Sequence, residues 1–268
     1  SILLAAIIVD FIFEKSAWCR HLCPLGGMTG LFSMSSLIEI RANRNVCNTI
    51  CTTHDCFKGS EKADPCPMFL HLSFLSDNRD CKVCLNCIKN CTHLATRLNL
   101  RIPGAEISSL KQPSLPGAIF SILLSGLLAA EIVSRANIIQ ANYLFLFSTS
   151  ILLALALSLT INYFTALILK ETVTEHLKHF GYALIPLILF GFISHYSADV
   201  FGNVKGTLMI FDTYELNLNF TTTFQLLTVL TGLLITVYLI NRIILNIIPK
   251  SRQLQIFAIQ GIVPLVLS

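Results

Sequence analysis

Long apolar runs separated by short polar connections fill the C-terminal part of the chain, and one extended polar stretch divides them from an apolar N-terminus. A helix crossing a hydrocarbon core of about 30 Å needs about 20 largely apolar residues. Residues 143–169, 180–201 and 224–248 meet that length, and 116–133 form a fourth span of minimal length. Residues 1–13 read as the end of a helix and 253–268 as the start of one, so the chain is expected to be a piece of a longer protein. Pro186 is expected to kink the third full span and free a carbonyl.

Composition sharpens this pattern. Of 268 residues 54% are hydrophobic and 13% charged, with a mean hydropathy of +0.69, against about 25% charged residues in a soluble globular domain. A soluble single-core protein is excluded. Residues 14–115 hold 12 of the 19 Lys and Arg, 8 of the 15 Asp and Glu, and all 10 cysteines. The remaining long apolar segments without cysteine exclude a secreted disulfide scaffold, and the net charge of +4 is too small to imply nucleic acid. The expected fold is an all-α polytopic membrane protein with a small cytoplasmic two-cluster ferredoxin-like insert. Its segments are the end of a transmembrane helix (1–13), an elbow and membrane-surface segment (14–46), a two-cluster module (47–104), a linker (105–115) and a helical membrane domain (116–268) with four spans and a truncated fifth.

Lys and Arg in alternate connections divide 17 against 2, with the cysteine segment on the positive side, which predicts that the cysteines are cytoplasmic. In that reducing compartment cysteines imply metal or redox chemistry rather than disulfides.

The strongest local signal is Cys81-x2-Cys84-x2-Cys87-x3-Cys91. That spacing wraps a tight loop around one cubic cluster and sends the fourth thiolate elsewhere. A zinc site is the bland alternative, although zinc modules usually pair two separated C-x2-C knuckles. Upstream lies a looser group, Cys47-x3-Cys51-x4-Cys56-x9-Cys66-Pro67, and eight thiolates suit two [4Fe-4S] clusters. By the crossed ligation of two-cluster ferredoxins, Cys66 would join Cys81, Cys84 and Cys87, and Cys91 would join Cys47, Cys51 and Cys56. The uncrossed alternative keeps each run to itself. His54 reads as a loop residue before it reads as a ligand.

Cys19-x3-Cys23-Pro24, followed by Gly26-Gly27, lies at the end of the first apolar run. Cysteines four apart face one side of a helical turn. The functional readings are a redox dithiol, a metal pair or a quinone-site wall, and the structural reading is a rigid elbow packed on Trp18.

The run from Val9 through Trp18-Cys19-Arg20-His21-Leu22-Cys23-Pro24-Leu25-Gly26-Gly27, followed by paired cluster motifs, resembles the NapH-type quinol dehydrogenase membrane subunits of periplasmic nitrate reductase systems. It is also similar to polyferredoxin relatives in nitrous-oxide reductase maturation and cytochrome oxidase assembly. The resemblance covers about residues 1–104. It implies that Cys19 and Cys23 match the family's C-x3-C-P and that Cys47, Cys51, Cys56, Cys66, Cys81, Cys84, Cys87 and Cys91 take cluster-ligand positions. Thr92 replaces the usual Pro after Cys91, and the stretched spacing of the first group departs from the family pattern.

Of the histidines near the membrane only His195 lies well within a span. It is separated from His179 by about 24 Å of helix at about 1.5 Å per residue, so the two cannot share an iron. Haem is not expected from this chain alone. His176 and His179, beside Glu175 and Tyr182 on the cysteine side, form a candidate quinone site, with an ordinary wet loop as the alternative. His195, Asp199 and Glu131 gather near the opposite surface, where water can solvate the acids.

The expected function is a membrane-bound electron-transfer subunit of a quinol-linked oxidoreductase complex, relaying electrons between the quinone pool and partner redox subunits in a bacterial inner membrane. The alternative is an assembly or metal-handling factor of the oxidase-maturation type, whose clusters reduce a metal or thiol.

Overall fold

The computed structural model describes residues 2–13, 18, 22–110, 113–135, 142–208 and 218–267. Cys19 lies outside them. The chain divides into two compact units, Ser1–Glu106 and Ile107–Ser268.

The first unit opens with the apolar helix α1 (Ile2–Phe13). Asp10 accepts a hydrogen bond from the Trp18 N–H at 2.9 Å. Helix α2 (Pro24–Ser33) starts at Cys23, with proline in its first turn, where the missing N–H costs nothing. Strands β1 (Ile38–Ala42) and β2 (Thr96–Leu100) then pair antiparallel, in a register running from Ile38 opposite Leu100 to Ala42 opposite Thr96. Between them the chain forms three short helices, α3 (Arg44–Thr49), α4 (Asp55–Lys58) and α5 (Asn86–Lys89), which carry Cys47, Cys56 and Cys87, while the connecting loops carry Cys51, Cys66, Cys81, Cys84 and Cys91. Ile40, 1% exposed, points off the hairpin into a small core with Leu72 and Leu75, against which Cys56, Cys81 and Cys87 pack.

A buried ion cluster ties this unit together. The Glu106 carboxylate, on the short helix α6 (Ala105–Ser109), accepts from the Asn78 N–H at 2.7 Å, from Arg41 at 3.2 Å and from Arg101. Arg101 also donates to the carbonyls of Ser33, Met34 and Ser36 at the end of α2. A buried carboxylate is tolerable only when its charge and lone pairs are met in this way.

The second unit is helical. Four helices are long and apolar enough to cross a membrane: Leu115–Arg135, Tyr143–Leu169, Val173–Phe201 and Phe220–Ile247. They lie within α7 (Leu115–Arg135), α8 (Tyr143–Leu169), the pair α9 (Val173–Ala183) and α10 (Ile185–Leu208), and α11 (Leu218–Ile247). Large side chains such as Leu152, Leu153, Leu226 and Leu234 point outward and exposed, as a lipid-facing surface requires. This is a polytopic helical membrane protein.

Small residues let these helices touch, since lipid gives apolar side chains no reason of their own to associate. A Cβ added to Gly126 on α7 would meet the Ile151 Cα of α8 at 2.7 Å, and one on Gly181 of α9 would meet the Ala118 Cβ at 2.8 Å. Pro186 does break its span, at Leu184 between α9 and α10. The Leu187 N–H there donates to the Thr236 hydroxyl of α11 at 3.2 Å. Residues 253–267 form two short helices, Gln253–Gln260 and Ile262–Leu267, where the sequence reads as the start of one.

Candidate metal centre

The cysteine loops hold their shape through backbone that ordinary residues rarely adopt. Val83 and Leu85, between the closely spaced cysteines, have φ of 51° and 67°, and His54 and Leu94 have φ of 55° and 49°. Left-handed residues turn the chain sharply and so aim successive thiols inward; non-glycine residues keep this conformation only where the surroundings enforce it. The nine-residue insertion before Cys66 is ordered by similar means. Gly59 has φ of 86°, and a Cβ there would meet the Pro65 nitrogen at 2.7 Å. The Cys66 N–H reaches back to the Phe57 carbonyl at 3.4 Å. Asn90, 1% exposed, donates to the carbonyls of Ala63 and Asp64 and accepts from Ser60.

These loops gather the thiols into two sets. Cys47, Cys51, Cys56 and Cys91 line one cavity, together with Asn90, His93 and Ala95. Cys66, Cys81, Cys84 and Cys87 line another, walled by Ile40, Leu70, Leu72 and Leu75. The last cysteine of each run therefore sits with the other run. Among the described residues no group of three or more His, Cys, Asp or Glu closes on the position of a single metal ion; each set surrounds a space instead.

Thiol acidity follows from this packing. Burial raises the Cys56 thiol to about 11, helped by Cys47, Cys91 and Cys51. Burial raises Cys87 to about 12, with Cys81, Cys84, Cys66 and Cys56 adding to it. Cys47 and Cys81 are raised mainly by burial too, and their neighbouring thiols add to that. Cys91 departs from the pattern: burial pulls it up, but backbone N–H groups of Thr96, Ala95 and His93 outweigh burial and lower it. Ala95 N–H lies 3.2 Å from Cys91 Sγ. Four such thiols cannot ionise side by side without a cationic core between them, which is the environment an iron–sulfur cluster supplies. The donor set and its enclosure fit that group.

Comparison with known proteins points the same way. A family described as a 4Fe-4S binding domain matches residues 1–41, the stretch that carries Cys19 and Cys23. The chain is 29% identical over 132 residues to YccM of Escherichia coli, named for electron transport, covering 48% of this chain and 34% of that protein. It is 30% identical over 105 residues to the ferredoxin-type protein NapH of Haemophilus influenzae, covering 37% of this chain and 36% of the relative. This chain is similar to ferredoxin-type proteins of the NapH kind. A further relative is the methylamine utilization ferredoxin-type protein MauN of Paracoccus denitrificans, 41% identical over 49 residues, or 18% of this chain and 17% of MauN. The chain thus spans about a third of the length of YccM and of NapH. No solved structure matches it.

The other candidate residues fall as follows. Cys23 precedes α2 and its N–H donates to the Trp18 carbonyl at 2.8 Å, while Cys19 lies outside the described residues. The His54 ring packs on His71 at 5.0 Å between centroids, with 3.3 Å between Nδ1 and Nε2, and is not among the residues lining either cysteine cavity. His176 is 3% exposed, with Nε2 3.2 Å from the Glu171 carboxylate but not aligned for a hydrogen bond. His179 is half-buried. Towards the far end of α10 Asp199 pairs with Arg135, which also donates to the His195 carbonyl, and Glu131 accepts from the Tyr143 hydroxyl. Sequence reasoning missed Ile40, Asn90 and Ala95. The alternation in Ile38-Glu39-Ile40-Arg41 and Thr96-Arg97-Leu98-Asn99 is the strand signal that would have found the hairpin carrying Ile40.

Proposed function

We propose that this chain is a membrane-bound iron–sulfur relay that passes electrons between the quinone pool and a partner redox complex. The observation that carries the reading is the pair of cavities, each lined by four cysteines drawn from both runs. Cys47, Cys51, Cys56 and Cys91 would hold one [4Fe-4S] cluster and Cys66, Cys81, Cys84 and Cys87 the other. Bound clusters supply one-electron uptake and release at a potential tuned by burial and hydrogen bonding. The chain's own part is to pack Ile40, Leu72 and Leu75 against Cys81 and Cys87 in one set, and to direct N–H groups at Cys91 in the other. The charge asymmetry of the connections supports a cytoplasmic module in a bacterial inner membrane. The names of the NapH and YccM relatives support electron transfer as the task.

The test is anaerobic purification followed by metal analysis and reduction with a soluble menaquinol analogue. Roughly eight irons and eight acid-labile sulfides per chain are expected, with bleaching of the visible absorbance on quinol addition. Zinc with negligible iron overturns the cluster reading. Iron that dithionite reduces and quinol does not overturns the quinone relay alone.

A further inference from the structure

A second kind of cavity, about 350 Å³, opens on the first unit beside the hairpin and is lined by Arg41, Asn43, His93, Leu94, Ala95 and Arg97 among others, with no acidic side chain in its lining. Arg41 and Arg97 are direct partners across the β-ladder. Like charges opposite one another destabilise a strand pair unless something offsets them. Glu39 and Glu106 offset Arg41. Arg97 is exposed and has no ion-pair partner among the described residues. The rim carries a further anomaly. Leu94 is 79% exposed and has φ of 49°, so a strained backbone holds an apolar side chain out in water at the edge of a cationic cavity. The turn serves the cysteine loop, and what it presents at the rim is an apolar side chain with no packing of its own.

What lies behind the cavity gives the patch a direction. His93 and Ala95 line both this cavity and the one formed by Cys47, Cys51, Cys56 and Cys91, so the two share a wall. A molecule seated here is separated from those thiols by one layer of residues. We propose that this cavity is the docking face for an acidic electron-carrier protein, with Arg97 meeting its carboxylates and Leu94 making the apolar contact. Complementary charge would orient the carrier over the cysteine cavity and speed its arrival. An anionic lipid could satisfy Arg97, but only a redox partner draws use from the shared wall. The inference rests on the cluster reading, because the wall matters only if electrons leave through it.

The test uses the anaerobically purified chain in nanodiscs of zwitterionic lipid, with plastocyanin as an acidic one-electron protein and cytochrome c as a basic one. Calorimetry gives the Kd for each. Stopped-flow then follows the single electron that passes from the dithionite-reduced chain to plastocyanin Cu(II), giving Cu(I) with no proton required. Arg97→Glu should weaken plastocyanin binding by about tenfold at low ionic strength, since close charge pairs at interfaces are often worth more than 1 kcal/mol. Leu94→Gly, which keeps the left-handed turn while removing the apolar contact, should weaken it by about threefold or more, of the order of a lost side-chain contact. Lys62→Glu, outside the cavity, should leave the Kd within about twofold, as a rim charge remote from the contact does. Iron content should be unchanged in all three, and cytochrome c should bind no variant more weakly than it binds the wild type. Equal losses for Arg97→Glu and Lys62→Glu would reduce the effect to net charge and overturn the docking face. So would an unchanged plastocyanin Kd in Arg97→Glu accompanied by lost binding to phosphatidylglycerol vesicles, which would assign the patch to lipid. Absence of iron in the wild type would sink the cluster reading instead, and the Kd measurements would still decide whether the face binds acidic protein.

Discussion

Cys91 and Cys47 line the same cavity, although Cys91 closes the compact run that begins at Cys81. Cys66 makes the reciprocal exchange and lines the cavity of Cys81, Cys84 and Cys87. Crossing arises because three closely spaced thiols already surround one space and the left-handed turns leave the fourth directed away from it.

Crossing has a spectroscopic consequence. Cys66→Ser and Cys84→Ser should perturb the same electron paramagnetic resonance signal, and Cys91→Ser should perturb the signal altered by Cys51→Ser. A Cys66→Ser spectrum that matched Cys51→Ser would show that each run serves its own cluster.

Thiol acidity can be read in the cluster-free protein. Cys87, held near 12 by burial and neighbouring thiols, stays protonated at neutral pH, whereas Cys91 is lowered by the N–H groups aimed at its sulfur. Only the thiolate is alkylated quickly. Mass spectrometry after timed iodoacetamide treatment should therefore find Cys91 modified below the pH at which Cys87 begins to react. Raising the pH should narrow the gap, because Cys87 gains thiolate as its value is approached while Cys91 is already ionised. Equal rates at neutral pH would contradict this ordering.

Much of this architecture was legible in the sequence. Four spans are visible because nothing but a bilayer requires runs of that length, and Pro186 marks its own break. Cysteine spacing expresses the two sets through the short reach of a C-x2-C loop. What the sequence conceals is contact between distant residues. The hairpin joins strands on either side of all the cysteine loops, and its alternation is short enough to pass for a membrane-surface segment. Glu106 shows the same blindness, because a lone acid in a linker gives no sign that Arg41, Arg101 and the Asn78 N–H converge on it.

That convergence predicts a stability effect. The Glu106 and Arg101 side chains are 2% and 7% exposed, and Glu39 also faces Arg101 at 3.2 Å and Arg41 at 3.4 Å, so losing the Glu106 charge removes charge-assisted hydrogen bonds without leaving either arginine unpaired. Glu106→Gln should destabilise the first unit by about 1.5–3 kcal/mol, the usual worth of hydrogen bonds to charged groups. Denaturant-induced loss of cluster absorbance gives the measurement. Arg44→Gln, whose one partner among the described residues is the Leu75 carbonyl at 3.1 Å, serves as the comparison and should cost about 1 kcal/mol. Similar midpoints for the two variants would mean that the cluster around Glu106 contributes little to holding α2 and the hairpin together.

For quinone the two candidate histidines separate by their surroundings. His176 is 3% exposed, stacked on Phe180 at 6.2 Å and next to Glu171, so its ring is committed to packing inside the helical unit. His179 is only half-buried and is the one of the pair with surface left for a head group. A lost hydrogen bond of about 0.5–1.5 kcal/mol corresponds to about two- to tenfold in affinity. His179→Ala should therefore raise the quinol concentration needed for half-maximal cluster reduction by that factor, with dithionite reduction and iron content unchanged. His176→Ala should instead lower thermal stability in detergent, because it leaves a cavity beside Phe180. If His179→Ala left the quinol dependence unaltered, the head group would have to be sought elsewhere, beginning with the Cys23 elbow.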